Sequence, residues 1–196
     1  LTASVDLRAK GSVVFNALSG VLVGKGSFEL SMGQVSSTSP SMTDASALAV
    51  SLANVDVFVG VGGSLNDVGG NSGSPGYIFS DDLVVNGSLG FRAVVTSLTL
   101  VSIKDLGADT TAGTADDVNY LGVASTGLGG TLIGLEGLLT FGAYNVDLVV
   151  NKATDGTGAA AAKLNWSTFS NTGMDLSAAK TALNGTSLGL SLIHIS

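Results

Sequence analysis

The chain of 196 residues has no cysteine, two prolines and a single histidine. Without cysteine it has no disulfide staples, no thiol nucleophile and no Cys-based zinc site. Charge is scarce as well. Charged residues make up 12% of the chain, about half the ~25% of an ordinary globular domain. Basic residues are the scarcer sign: Lys and Arg total 8 against 15 Asp and Glu, a formal net charge of −7. Phosphate recognition needs a clustered basic surface, so no nucleic-acid partner is expected. No uninterrupted apolar run approaches the ~20 residues of a membrane-spanning helix, so no membrane span is expected. The start at Leu1 shows no basic segment followed by an apolar one, so no signal peptide is visible in this chain. Low charge does not mean disorder, because 45% of the residues are hydrophobic.

The lone histidine, His194, lies in the terminal string Leu190–Ser196, Leu-Ser-Leu-Ile-His-Ile-Ser. That string resembles the translated end of a transposase adapter used in sequencing libraries. Residues 190–196 are therefore expected to be an adapter-derived tail and are set aside from fold reasoning. A natural terminal strand is the alternative. With the tail set aside, the chain is expected to be a histidine-free piece of a longer, metagenomic sequence. No Ser-His-Asp triad can then form. Neither a Gly-x-x-x-x-Gly-Lys-Ser/Thr loop nor a strand–Gly-x-Gly-x-x-Gly–helix unit is present. Adjacent acids such as Asp81-Asp82 and Asp116-Asp117 do not make a hydrolytic pair, because neighbours on a strand point to opposite faces. Catalysis is not expected.

What is present is a period of two. Leu48, Val50 and Leu52 alternate with Ala49, Ser51 and Ala53. Val55, Val57 and Val59 alternate with Asp56, Phe58 and Gly60. Stretches 94–103 and 145–151 behave alike, which predicts strands with one apolar face. The expected fold class is all-β: an elongated strand-and-loop array, either a β-solenoid or a stacked antiparallel sheet, with little helix. A short helix over 174–183, stopped by Asn184-Gly185, competes with a strand-and-turn alternative there.

A motif also recurs: Asn54-Val55-Asp56-Val57, Ser97-Leu98-Thr99-Leu100 and Asn145-Val146-Asp147-Leu148. Each copy has an apolar alternating approach before it and a polar loop after it. The spacings, 43 and 48 residues, predict divergent β repeats over 45–189. Residues 1–34 are expected to form an N-terminal hairpin unit that turns at Gly24-Lys25-Gly26. Residues 35–44, around Pro40, are expected to be a polar linker. The glycines of Gly127-Leu-Gly-Gly and Gly134-Leu-Glu-Gly are expected where backbones approach closely.

Thirteen of the fifteen acids are Asp, the acid whose short side chain serves turns and ions. They are densest in Asp105-Leu-Gly-Ala-Asp109-Thr-Thr-Ala-Gly-Thr-Ala-Asp116-Asp117. Calcium takes six to eight oxygens, which carboxylates and carbonyls of one looped segment can supply. Asp105, Asp109, Thr111, Asp116 and Asp117 are thus the candidate metal ligands, with Ca2+ as the candidate ion. The loop departs from an EF-hand at Gly107, Thr110 and Asp116 and is flanked by strands. A solvated turn is the alternative.

Val-Asp-Leu-Val-Val-Asn-Lys-Ala-Thr-Asp (146–155) and Gly-Leu-Glu-Gly-Leu-Leu-Thr-Phe (134–141) resemble repeats of very large secreted bacterial adhesin-like and surface proteins. The resemblance covers about 45–166. It implies an extended, repetitive, extracellular β structure and brings no catalytic residue. The expected function is a structural or adhesive segment of a cell-surface protein, partnered by neighbouring repeats and by surface or matrix glycans. A carbohydrate-binding module, using Trp166, Tyr144, Tyr77 and Tyr120 as stacking platforms, is one alternative. A β-helix enzyme acting on polysaccharide is another.

Overall fold

The computed structural model describes residues 3–68, 81–185 and 192–195. Six long strands dominate: β1 (Val5–Ala17), β2 (Leu22–Thr38), β3 (Ser41–Val61), β6 (Leu89–Asp105), β7 (Val118–Ile133) and β8 (Phe141–Asp155). They form one antiparallel sheet in the order β1-β2-β3-β6-β7-β8, and β10 (Leu192–Ile195) follows on the free edge of β8. The short β9 (Thr172–Gly173) adds to the end of β2. A separate ribbon pairs β4 (Ser64–Asn66) with β5 (Leu83–Val85). The helix, α1, spans Ser177–Gly185. Among the described residues the chain is therefore mostly antiparallel strand with one short helix, in an open sheet of several strands. No helix among the described residues is long and apolar enough to cross a membrane.

The strands are long. β3 has 21 residues, and at ~3.4 Å per residue it extends ~70 Å, against a usual strand of five or six residues. A strand of that length must keep its two faces distinct, and here it does so with a phase change. Asn54 has φ +51°. It sits in a bulge where Asn54 and Val55 together oppose Gly26, between the pairs Ser27–Ala53 and Lys25–Asp56. Past the bulge, the face that held Ala45, Ala47 and Ala49 is continued by Asp56, Phe58 and Gly60. In the same transverse row lie Gly127 on β7 (φ +62°) and Asn145 on β8 (φ +54°). The left-handed region is open to glycine and accessible to Asn, whose short side chain bonds locally. Two of the three motif copies, at Asn54 and Asn145, thus mark the same kind of backbone feature. The third begins at Ser97, one residue beside the row, and β6 crosses the row at Thr96 without a positive φ.

One face, called inner here, is covered at both ends. At one end Trp166, Phe169, Met174, Leu176, Ala179 and Leu183 pack over Val35, Ala45, Ala47, Val101, Ile103, Tyr120, Ala124 and Ala153. Small residues on the sheet make the room: a Cβ at Gly122 would lie 2.8 Å from both Trp166 and Leu183. At the other end the β4–β5 ribbon brings Val84 onto Val23 and Phe58. Between these covers the inner face is polar. Arg92 makes a forked pair with Asp56 at 2.6 and 2.8 Å, which raises the guanidinium pKa through its hydrogen bond to the carboxylate. Ser97 and Thr126 are 2.7 Å apart.

Local expectations meet the structure unevenly. The first hairpin turns at Leu18-Ser19-Gly20, where all three residues have positive φ, and not at Gly24-Lys25-Gly26. Gly24 is inside β2 because the Phe15 ring lies across it; a Cβ there would be 2.5 Å from the ring. The stretch 35–44 ends β2 and opens β3 through a cis Ser39–Pro40 peptide, with Val35 and Met42 buried. It is a turn within the sheet, because its two apolar anchors fall on the covered inner face. The helix does form. Asp175 caps it by accepting from the Ser177 N–H at 2.8 Å, a hydrogen bond that holds the Asp175 pKa below the ordinary carboxylate value. Gly127 and Gly134 do mark close approaches, to Thr96 and to the Ser88 carbonyl. Residues 192–195 pair with Phe141–Tyr144, as any extended segment can on an open strand edge.

The bulge makes a direct prediction. Asn54→Val should destabilise the fold by about 1–2 kcal/mol, because a branched Cβ clashes in the left-handed region, whereas Asn54→Gly should be neutral within a few tenths. Urea unfolding followed by far-UV circular dichroism checks the difference. Equal stability of the two variants would contradict a left-handed Asn54.

Candidate metal site

The acidic loop connects β6 to β7 at the covered end of the sheet that also carries α1. Asp105 is the last residue of β6 and Val118 the first of β7, so the ladder clamps both ends of the loop through the Asp105–Val118 pair. Twelve residues between two paired neighbours must fold back on themselves. Gly107, Thr110 and Gly113 have positive φ, which lets the chain reverse within so short a span. Asp side chains then bond the backbone they have turned. Asp105 accepts from Gly107 N–H at 3.3 Å, Asp109 from Thr111 N–H at 2.8 Å, and Asp117 from Gly113 N–H at 2.8 Å. One Asp116 oxygen accepts from Ala108 N–H at 2.9 Å and Asp109 N–H at 3.4 Å.

At the centre stands a residue that spacing alone did not single out. The Thr114 hydroxyl lies 2.8 Å from Asp116 Oδ1, 2.9 Å from the Thr111 carbonyl, 3.3 Å from Asp109 Oδ1 and 3.4 Å from Asp117 Oδ1. A hydroxyl carries one proton. It can donate to one of these four acceptors at a time, so three carboxylate oxygens and a carbonyl converge on a single donor. The Thr114 hydrogen bond is the main reason the Asp116 carboxyl is held below its ordinary pKa, with the N–H groups of Asp109 and Ala108 adding to it.

The five candidate ligands therefore divide. Asp109, Thr111 (through its carbonyl), Asp116 and Asp117 are gathered around Thr114. Asp105 stands apart: it is buried at the end of β6, and its charge adds to the burial that raises the Tyr120 pKa. Among the described residues no group of three or more acidic or His side chains is closed to metal-holding spacing. The gathered oxygens are arranged around a hydroxyl. A second turn packs beneath: at Gly156 a Cβ would strike the Thr114 carbonyl and lie 3.1 Å from Asp117. Its Asp155 accepts from Thr157 and Ala159, the Thr157 hydroxyl first among the causes that lower its pKa. The only cue to Thr114 was its place two residues before Asp116. Its role depends on the loop closing.

The aromatics proposed as sugar platforms are distributed otherwise. Trp166 is buried, stacked edge-on against Phe169 at 5.9 Å, and its indole N–H donates to Asn151 at 3.2 Å. Tyr120 is buried in the same core. Tyr144 is exposed, and Tyr77 lies outside the described residues. No protein family model, curated protein or solved structure matches this chain.

The Asp116 shift carries a pH signature. Its folded pKa is depressed, so its contribution to stability is present above the unfolded value of about 3.9 and is lost as pH falls through the folded value. Thr114→Val should lower the melting temperature at pH 7, and the gap from wild type should narrow as pH falls from about 4 towards 2. Thermal melts across that range check it. A gap constant to pH 2 would mean that Thr114 acts by packing and not through the carboxylate.

Proposed function

We propose that this chain is a structural segment of a large extracellular bacterial surface protein, a stiff β module whose acidic loop takes up Ca2+. The single observation that carries the calcium part is the convergence of Asp109, Asp116, Asp117 and the Thr111 carbonyl on one Thr114 hydroxyl. Like charges that share one proton donor repel one another, and a divalent cation with several oxygen sites relieves that repulsion. Extracellular modules bind calcium at about 0.1–1 mM, a range suited to loops of modest charge.

The structural role is supported by the sheet. Long, continuous strands with directly paired neighbours resist bending, and the densest run of acids at the covered end sits in the β6–β7 loop. A calcium ion bridging Asp109 to Asp116 and Asp117 would tie the β6–β7 connection across its own width. Folding would then be linked to the calcium-rich exterior. The resemblance of 134–141 and 146–155 to adhesin-like repeats agrees with a cell-surface setting. Neighbouring repeats of the same protein are the natural partners, with surface glycans as the alternative target.

Calorimetry decides the calcium part. Calcium should bind with release or uptake of heat, and at a hundredfold excess over Kd it should stabilise the fold by about 2.7 kcal/mol. Asp116→Asn and Asp117→Asn should abolish the effect, and Asp105→Asn should leave it. Absence of heat and of any melting shift at 10 mM calcium would overturn it, and specific hits on a glycan array would replace the structural role with a binding one.

A further inference from the structure

The uncovered face of the sheet carries an inference that goes beyond this function and rests on the sheet alone. Pairing places Leu30, Val50, Leu100, Val123 and Val150 side by side across five strands. One step along, Phe28, Leu52 and Leu98 repeat the pattern. Beyond the bulge row Val57 and Val59 continue it, and Phe91 stacks towards Phe141 at 6.4 Å. The phase change at Asn54 is what keeps the apolar set on one side. Leu7, Val13, Met32, Val59, Phe91 and Leu148 all fall on this face, and each is more than a third exposed.

The size of the face identifies what it needs. Six strands ~4.8 Å apart span ~24 Å, and ~13 residues of apolar length at ~3.3 Å give an area on the order of 1,000 Å2. The largest apolar patch of a typical monomer is about 300–600 Å2, and a standard stable interface buries about 800 Å2 per partner. The charged side chains of the sheet centre, Arg8, Lys25, Glu29, Asp56 and Arg92, belong to the inner face, and Lys104 and Lys152 reach the outer face only towards its loop end, so covering the centre of the outer face traps no unpaired ion. We propose that the occupant is a second copy of this chain, packed sheet on sheet across a two-fold axis.

Two features favour a second sheet over hydrocarbon. Among the described residues β1 pairs only with β2, which leaves an open edge, and open edges do not occur in a bilayer core. The described Trp and Tyr residues lie on the inner side, whereas lipid-facing sheets carry such rings at both interfaces. Aliphatic sheets instead pack face to face about 10 Å apart, with strands aligned to within about 30°. The same patch serves both copies in a two-fold pair. Repulsion between the acidic loops favours the arrangement that sets them at opposite ends.

Light scattering coupled to size exclusion on the full chain, with flotation on phosphatidylcholine vesicles, tests this. Wild type should run at twice the chain mass and stay with the buffer. V50K/L100K should run as a monomer with an unchanged far-UV β spectrum. Should that variant fail to fold, the near-isosteric V50T/V123T should still weaken the dimer at least tenfold. A wild-type monomer in buffer, wild-type protein that floats with vesicles, assemblies other than a dimer, or a dimer untouched by folded face variants would each overturn the proposal.

Discussion

The structure depends on keeping side-chain alternation in phase along strands about two to four times the usual length. A pleated strand sends successive side chains to opposite faces, so an inserted residue exchanges the faces unless the sequence exchanges its pattern at the same point. Here it does. Leu48, Val50 and Leu52 give way to Val55, Val57 and Val59 where Asn54 enters the left-handed region. Gly127 and Asn145 do the same on β7 and β8. The row crosses the sheet, and no strand beyond β2 is left to carry a mismatch alone. Bulges also raise the local twist.

From that alignment follows the division of labour between the faces. The inner face holds Ala and Gly where the 164–183 segment must lie close, and Arg92, Asp56, Ser97 and Thr126 where nothing covers it. The outer face holds Leu and Val throughout its centre. Charge is thereby gathered on the inner face, in the loops and, at Lys104 and Lys152, towards the loop end of the outer face, and the most acidic loop lies where the ladder clamps both its ends. Its internal bonds are short-range Asp-to-backbone contacts, so the loop is shaped by the same residues that would meet an ion.

Much of this was legible in the residues. The strands, their alternation and the scarcity of helix follow from period and composition. The recurring Asn-Val-Asp motif was visible too, but as a repeat; its physical meaning is a bulge, which only the register of a neighbouring strand defines. Gly24-Lys25-Gly26 looks like a turn because glycine is permissive in turns. The demand on Gly24 comes from the Phe15 ring on another strand, a contact with no local signature. Pro40 suggested a linker, since polar residues around a proline look alike in a linker and in a tight turn. The buried Val35 and Met42 distinguish the two only once the inner face is known. In the loop, Asp109, Thr111, Asp116 and Asp117 were readable from spacing. Thr114 was not, because its centrality is a convergence of four oxygens from across the turn. Asp105 has the spacing of a ligand, yet it belongs to the strand, and its carboxylate is spent on Gly107 and the neighbourhood of Tyr120.

The absence of cysteine makes the central claim open to direct measurement. Single cysteines introduced one at a time from position 48 to 59 can be timed for reaction with a thiol reagent. Rates should alternate along β3, and the alternation should invert across Asn54, with 48, 50 and 52 matching 55, 57 and 59. An unbroken alternation, with 48, 50 and 52 matching 56 and 58, would contradict it.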